Sequence, residues 1–171
     1  MKIFITGSSG TGKTSVAKAL SDKGYSAFSP EDMGINKYID MKTNAFVPRP
    51  TPPIDHSRYR STWDTAKLKK MLASDDVVFI AGQIGTQADY YNLFDKIIVL
   101  TAANETIKQR LLHRNTNPYD YGKHPDEMKH VMWYNLNLAK ELLDAPGAIA
   151  IDASQPLDAV VAEVLRHSNE G

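Results

Sequence analysis

The chain of 171 residues contains no cysteine. That excludes a disulfide framework and any zinc site built on thiolates. It also lacks an excess of either charge, since 20 Lys and Arg balance 20 Asp and Glu. The balance argues against a nucleic-acid or anionic-membrane partner, because such binders usually carry a basic excess. A local basic pocket is compatible with it. Long apolar runs are missing as well. None approaches the ~18 residues of a membrane-spanning helix, and the short run Ile3–Ile5 ends in glycine and serine, too soon for a signal peptide. The expectation is a cytoplasmic protein with no membrane partner. The five histidines lack metal-ligand spacing, and no internal repeat is present. What is there is the apolar and charged balance of one ordinary globular domain covering 1–171.

Apolar runs bounded by turn residues predict five strands: Lys2–Thr6, Tyr25–Phe28, Val77–Ala81, Lys96–Leu100 and Ala148–Ile151. Runs apolar on both faces suit a parallel sheet buried between helices. Helical spacing predicts helices over Lys13–Ser21, Lys67–Ala73, Asn104–His113 and Pro125–Leu143, and a last one from about Pro156, capped by Ser154. Strand–helix alternation implies right-handed crossovers and a three-layer α/β sandwich. The stretch from Pro30 to Thr62 breaks the rhythm, with four prolines between Pro48 and Pro53. Its one suggestion of regular structure is a short helix around Asn36–Asp40. Irregular connections of this length are uncommon unless they serve a function or are disordered.

The first strand runs into Gly7-Ser8-Ser9-Gly10-Thr11-Gly12-Lys13-Thr14-Ser15, which fits G-x-x-x-x-G-K-[ST] at every fixed position. Glycines let successive backbone N–H groups turn inward around a polyphosphate. The following helix offers its positive N-terminus. In such a loop Lys13 reaches the β- and γ-phosphates, and the Thr14 hydroxyl ligates Mg²⁺. The implied ligand is ATP or GTP with magnesium.

With that loop opening so short a chain, the sequence resembles the small P-loop kinases of the nucleotide, shikimate and gluconate kinase group. The resemblance extends to Ala81-Gly82-Gln83, Phe94-Asp95, Arg110-xxx-Arg114 and Ile151-Asp152-Ala153-Ser154-Gln155-Pro156. The segment Asn117–Glu127 also looks like uncharacterised bacterial members carrying only a generic ATP-binding label. The resemblance implies a five-stranded parallel sheet of order 2-3-1-4-5, an acceptor site over the region after the second strand, and a lid that adds arginines to the phosphates. On that pattern Arg110 and Arg114, one helical turn apart, are the lid arginines, within a lid of 110–125. Arginine suits the task because its planar fork pairs with phosphate oxygens. The alternative for both is a solvated helix face. Lys123 and His124 either close over the transferred phosphate or are plain loop residues.

The third strand ends in Ile80-Ala81-Gly82-Gln83, without the aspartate that holds magnesium in many P-loop proteins. Glu31 or Asp32 then becomes the candidate acid. In the shikimate and gluconate kinases, acidic residues at this place contact substrate or metal. Asp32 would orient an acceptor hydroxyl or take its proton, or else be a helix-start acid favoured by the dipole. Gln83, at a strand's carboxyl end, is placed to touch a ligand. The 30–62 insert supplies Arg49, Arg58 and Arg60 with Tyr59, cations and an aromatic suited to a planar, phosphorylated acceptor. His56 and Trp63 are expected to be structural. The expectation is an ATP-dependent phosphotransferase acting on a nucleoside, a nucleoside monophosphate or a hydroxylated metabolite, as a monomer or homodimer. The rival is a P-loop NTPase or nucleotide-gated module acting on a macromolecule.

Overall fold

Ile3, Phe4 and Ile5 form the middle of β1 (Lys2–Gly7), with no polar residue among them and no exposure on either face. Alternation sends them to opposite sides. In the computed structural model, which describes residues 1–51, 53–73, 76–115, 121–137, 139–145 and 147–169, β1 is the central strand. It pairs in parallel with β6 (Val78–Ala81) and β7 (Lys96–Thr101). β2 (Ser26–Phe28) extends the sheet beyond β6, and β8 (Ala148–Asp152) extends it beyond β7. The order β2-β6-β1-β7-β8 becomes 2-3-1-4-5 when only this sheet's strands are counted.

Two cores result. Ile3, Ile5, Phe79, Ala81, Ile98 and Leu100 face α1 (Lys13–Asp22) and α6 (Leu157–Asn169), whose Val16, Leu20, Val160 and Val164 close that side. Phe4, Val78, Ile80, Ile97 and Val99 face Trp63, Leu68, Tyr90 and Leu142. Those come from β5 (Tyr59–Trp63), α2 (Thr65–Met71), a 3-10 helix over Gln87–Leu93, and α5 (Ala139–Leu143). Helix α3 (Asn104–His113) packs on α4 (Pro125–Asn137) through Ile107, Leu111 and Val131. The expected single helix over Pro125–Leu143 appears as α4 and α5, on either side of residue 138, which lies outside the described residues. Helix α2 starts earlier than expected because Asp64 caps it, its carboxylate accepting the Lys67 N–H at 3.1 Å.

The suggested helix around Asn36–Asp40 is instead a strand. β3 (Asn36–Asp40) lies between β4 (Ala45–Val47) and β5 in a separate antiparallel sheet, order β4-β3-β5. The reason is tertiary: β3 and β5 pair along their full length, from Asn36 opposite Trp63 to Asp40 opposite Tyr59. A five-residue run with Tyr and Ile at its middle gains more from such a ladder than from an isolated helical turn. The β3–β4 turn closes on Asp40, whose carbonyl accepts the Thr43 and Asn44 N–H groups. Asn44 adopts φ 55, a conformation asparagine tolerates better than most residues.

Tyr90 ties this small sheet to the main body. Its phenol hydrogen-bonds the Thr62 hydroxyl at 2.8 Å, accepts the Trp63 N–H at 3.2 Å and donates to the Trp63 carbonyl at 3.0 Å. All of these groups are buried. Tyr90→Phe should leave several of them unsatisfied, costing roughly 1–3 kcal/mol. Melting of that variant should fall by several degrees; an unchanged melting temperature would show that the second sheet is held by packing alone.

Candidate functional site

The carboxyl ends of β1, β6 and β7 open toward the loop that joins β1 to α1. Its shape depends on two glycines. A side chain on Gly7 (φ +140) would put its Cβ 2.3 Å from the Leu100 carbonyl oxygen. One on Gly10 (φ +87) would meet Ile107 at 3.0 Å and Leu111 at 3.2 Å. Only glycine lets the turn press against both β7 and α3. Thr11 braces it, its hydroxyl donating to the Ser8 carbonyl at 2.8 Å. Gly12 is the N-cap of α1, and no side-chain hydrogen bond caps the helix's N-terminus.

Lys13 lies back across this loop. Its ammonium donates to the carbonyls of Gly7 at 2.9 Å and Ser8 at 2.8 Å. The side chain is partly exposed along its length. Its ammonium is desolvated enough to bring the pKa down to about 8, with Glu31 opposing the shift and Arg114 adding to it. It remains largely protonated at neutral pH. The Ser8 hydroxyl is buried with no partner among the described residues. A turn that tolerates no Cβ at Gly7 or Gly10, a desolvated ammonium and a buried hydroxyl with no partner among the described residues fit a polyphosphate. Ser9 is partly exposed on the loop, and Thr14 and Ser15 are exposed on the first turn of α1.

Glu31 and Asp32 sit in the turn after β2, not at the start of a helix. Their places differ. Glu31 acts electrostatically on Lys13. Asp32 lines a cleft of about 250 Å³ together with Thr14, Ser21 and Ser29. Among the described residues no cluster of three His, Asp or Glu side chains forms a metal cage. A hard cation here would therefore rest on Thr14, Asp32, phosphate oxygens and water, as Mg²⁺ usually does.

The arginines diverge. Arg114 ends α3 and donates to the Tyr121 carbonyl at 2.6 Å, with its charge felt at Lys13. Arg110 donates to the Ala153 carbonyl, in the segment after β8, at 2.8 Å. In the insert, Arg49 donates to the Tyr38 hydroxyl at 2.9 Å, and Arg58 binds the buried Asp40 carboxylate at 2.8 Å while lying over Tyr59. Arg60 donates to the Gly85 carbonyl through two nitrogens. Trp63 is a buried plug, edge-on to Phe4 at 5.3 Å. His124 accepts the Asp126 N–H through Nδ1, a loop role at the start of α4. Of the expected lid 110–125, residues 116–120 lie outside the described ones.

Gln83 belongs to a polar group that the sequence did not single out. Gln83 and Gln87 both hydrogen-bond the Tyr134 phenol, and the Thr6 hydroxyl donates to Gln87 at 2.9 Å. Another missed contact joins the insert to α4. The rings of His56 and His130 stack with centroids 4.0 Å apart and planes 7° from parallel, and the Tyr121 hydroxyl lies 3.3 Å from His56. Nothing in the local sequence marks these pairs, since each joins segments more than 40 residues apart.

Residues 3–130 match the AAA domain family. No curated protein matches the chain. Solved structures with the same fold include a shikimate kinase from Bacteroides thetaiotaomicron at 16% identity and TM-score 0.60, covering 98% of each chain. A deoxyadenosine kinase from M. mycoides matches at 15% identity and TM-score 0.58 over 100% of both chains. A gluconokinase from Sinorhizobium meliloti matches at 19% identity and TM-score 0.56, covering 96% of this chain and 89% of the other.

The histidine stack makes a pH prediction. Burial lowers the pKa of both rings below the usual 6.5, and the neighbouring His130 lowers His56 further, against an opposing pull from Asp55. A depressed histidine binds fewer protons folded than unfolded, so its contribution is full above 6.5 and is lost as pH falls through the lowered values. Melting temperature should drop between pH 7 and pH 5, and His130→Gln should make that drop shallower. An identical pH profile for the variant would mean that the stack does not titrate in this range.

Proposed function

The chain belongs to the AAA domain family, and on that premise we propose that it transfers a phosphoryl group from Mg·ATP to a small acceptor. Nucleosides or nucleoside monophosphates come first as acceptors, and hydroxylated metabolites second. The observation that carries this reading is the setting of Lys13. Two segments converge electrostatically on its ammonium: Glu31 from the turn that leads into the insert, and Arg114 from the end of α3. Nucleotide hydrolases also bring an arginine to the phosphates, so it is the acid from the insert side that favours a kinase. A kinase needs an acceptor side and a phosphate-closing side around one transferred group. The names of the neighbouring folds, a shikimate kinase, a deoxyadenosine kinase and a gluconokinase, agree with a small acceptor.

On this reading Gly7–Ser15 wraps the phosphates, and Lys13 exchanges its two carbonyl contacts for β- and γ-phosphate oxygens. Thr14 would hold Mg²⁺, which would supply positive charge to neutralise the phosphates. The acceptor oxygen bonds to the γ-phosphorus as the bond to ADP breaks. Asp32, sharing the cleft with Thr14, orients the attacking hydroxyl and receives its proton. Arg114 balances charge on the transferred group, while Arg110 secures the segment after β8. Arg49 and Gln83 contact the acceptor. Arg58, bound to Asp40, holds the hairpin that carries Arg49. The domain reading follows: 30–62 receives the acceptor and 110–125 closes over it. Catalysis is then mainly positioning and charge neutralisation.

A thermal-shift screen tests the reading. An ATP analogue and one small acceptor should stabilise the protein more together than their separate effects predict. Hydrolysis stimulated only by a macromolecule would favour a nucleotide-gated module instead. With that acceptor, Lys13→Ala should lower phosphoryl transfer on the order of 10²–10³-fold; normal turnover in a folded variant would refute the mechanism. Mg·ATP at 100 times its Kd should add ~2.7 kcal/mol of stability, a rise of roughly 5–10 °C. Adenosine at the same concentration should add little, because the loop reads phosphates. Equal shifts would mean that the base, not the cradle, supplies the affinity.

A further inference from the structure

Glu127 is a buried acid with 3% of its surface exposed. Glutamate is almost never fully buried unless paired. Here one carboxylate oxygen, Oε2, accepts the Gly122 N–H at 3.0 Å, and the other has no partner among the described residues. No mechanism above uses it. The Gly122 N–H belongs to the peptide group that joins Tyr121 to Gly122. The carbonyl of that same peptide accepts from Arg114 at 2.6 Å. An acid and a guanidinium thus grip the two ends of one peptide dipole. Each contact strengthens the other, because an acceptor on the N–H polarises the carbonyl toward its donor.

The gripped peptide lies close to the phosphate loop. A Cβ on Gly10 would stand 3.2 Å from Leu111 Cγ, and a Cβ on Gly122 would stand 3.1 Å from Leu111 Cδ1. One leucine therefore separates the turn of the cradle from the gripped peptide. Gly122 holds φ +91, so the peptide's orientation is one that other residues rarely adopt.

We infer that Glu127 is a positioning residue: by fixing the Tyr121–Gly122 peptide it aims Arg114 at the phosphate cradle. The inference rests on the reading that Arg114 serves the phosphates. A guanidinium on a flexible side chain must lose rotamer freedom to act. The tethered carbonyl takes up that loss before nucleotide arrives, and Glu127 keeps the carbonyl in place.

The test is nucleotide selectivity, measured by titrating the full chain with ATP and with ADP in the presence of magnesium. Glu127→Met removes the acceptor while filling the space. It should weaken ATP roughly 5–10-fold and ADP less than about twofold, within the coupling expected of a shared network. Glu127→Gln keeps an oxygen for the Gly122 N–H and should restore most of the selectivity. Arg114→Ala should lose the same selectivity, and adding Glu127→Met to it should cause no further loss. Additive losses, or equal weakening of ATP and ADP, would overturn the inference while leaving Arg114 at the phosphates. If Arg114→Ala itself binds both nucleotides normally, the phosphate role of Arg114 fails and the inference with it. In the wild-type protein the Gly122 amide should exchange slowly with solvent. Exchange at the rate of an open loop would refute the grip even if no variant folds.

Discussion

The arrangement depends on an approach between backbones that tolerates no Cβ. At Gly7 the chain leaves β1 so close to β7 that an added carbon would overlap the Leu100 carbonyl at 2.3 Å. That contact places the loop directly over the carboxyl ends of the central strands, where ligands of open α/β sheets sit. Gly10 repeats the condition against α3. Because the loop leans on both β7 and α3, the end of α3 carries Arg114 to the electrostatic neighbourhood of Lys13. Position at the site thus follows from packing around two glycines, and charge follows from position.

The second sheet solves a different problem. Three short strands with so little buried apolar face lack what independent stability requires, so the sheet must borrow stability from the main body. It does so through Trp63, which reaches under the central sheet to Phe4, and through the hydrogen-bonded phenol of Tyr90. The exposed hairpin end keeps its own shape by the Arg58–Asp40 pair and the Asp40 turn. Firm anchoring at β5 and local bracing at the hairpin give a platform that is fixed at its base. The stacked His56 and His130 then form a separate, weaker link from the insert to α4. Links of that strength can open without unfolding either side.

Much of this was legible in the residues. The three central strands β1, β6 and β7 are continuous apolar runs, and burial on both faces is the one environment such runs fit. The phosphate loop was legible because its residue types follow from its backbone conformation. The β3 segment was not, because Asn36–Asp40 has no strand signal stronger than its partner strand, whose paired residues lie 19 to 27 positions further on. Trp63 was read as structural, and it is. Glu127 was passed over because a glutamate in the first turn of a helix normally reads as a solvated acid complementing the dipole. Only the return of the chain at Gly122 reveals that it faces inward.

The state of Lys13 explains how such a site can hold a concentrated positive charge. Desolvation by burial, with the charge of Arg114 adding to it, lowers the pKa of the Lys13 ammonium to about 8. Two backbone carbonyls and the nearby Glu31 offset that cost. Arg114 is eased in the same way by the Tyr121 carbonyl, itself held in place through Gly122 by Glu127. Carbonyl oxygens carry only partial charge, so they keep the cations folded in without satisfying them as fully as an ionised phosphate would. On the proposed reading a phosphate would displace these weaker acceptors with its own stronger ones, and the protein's own cations would already stand close to it. The acceptors that hold the two side chains would then be weak enough to give way.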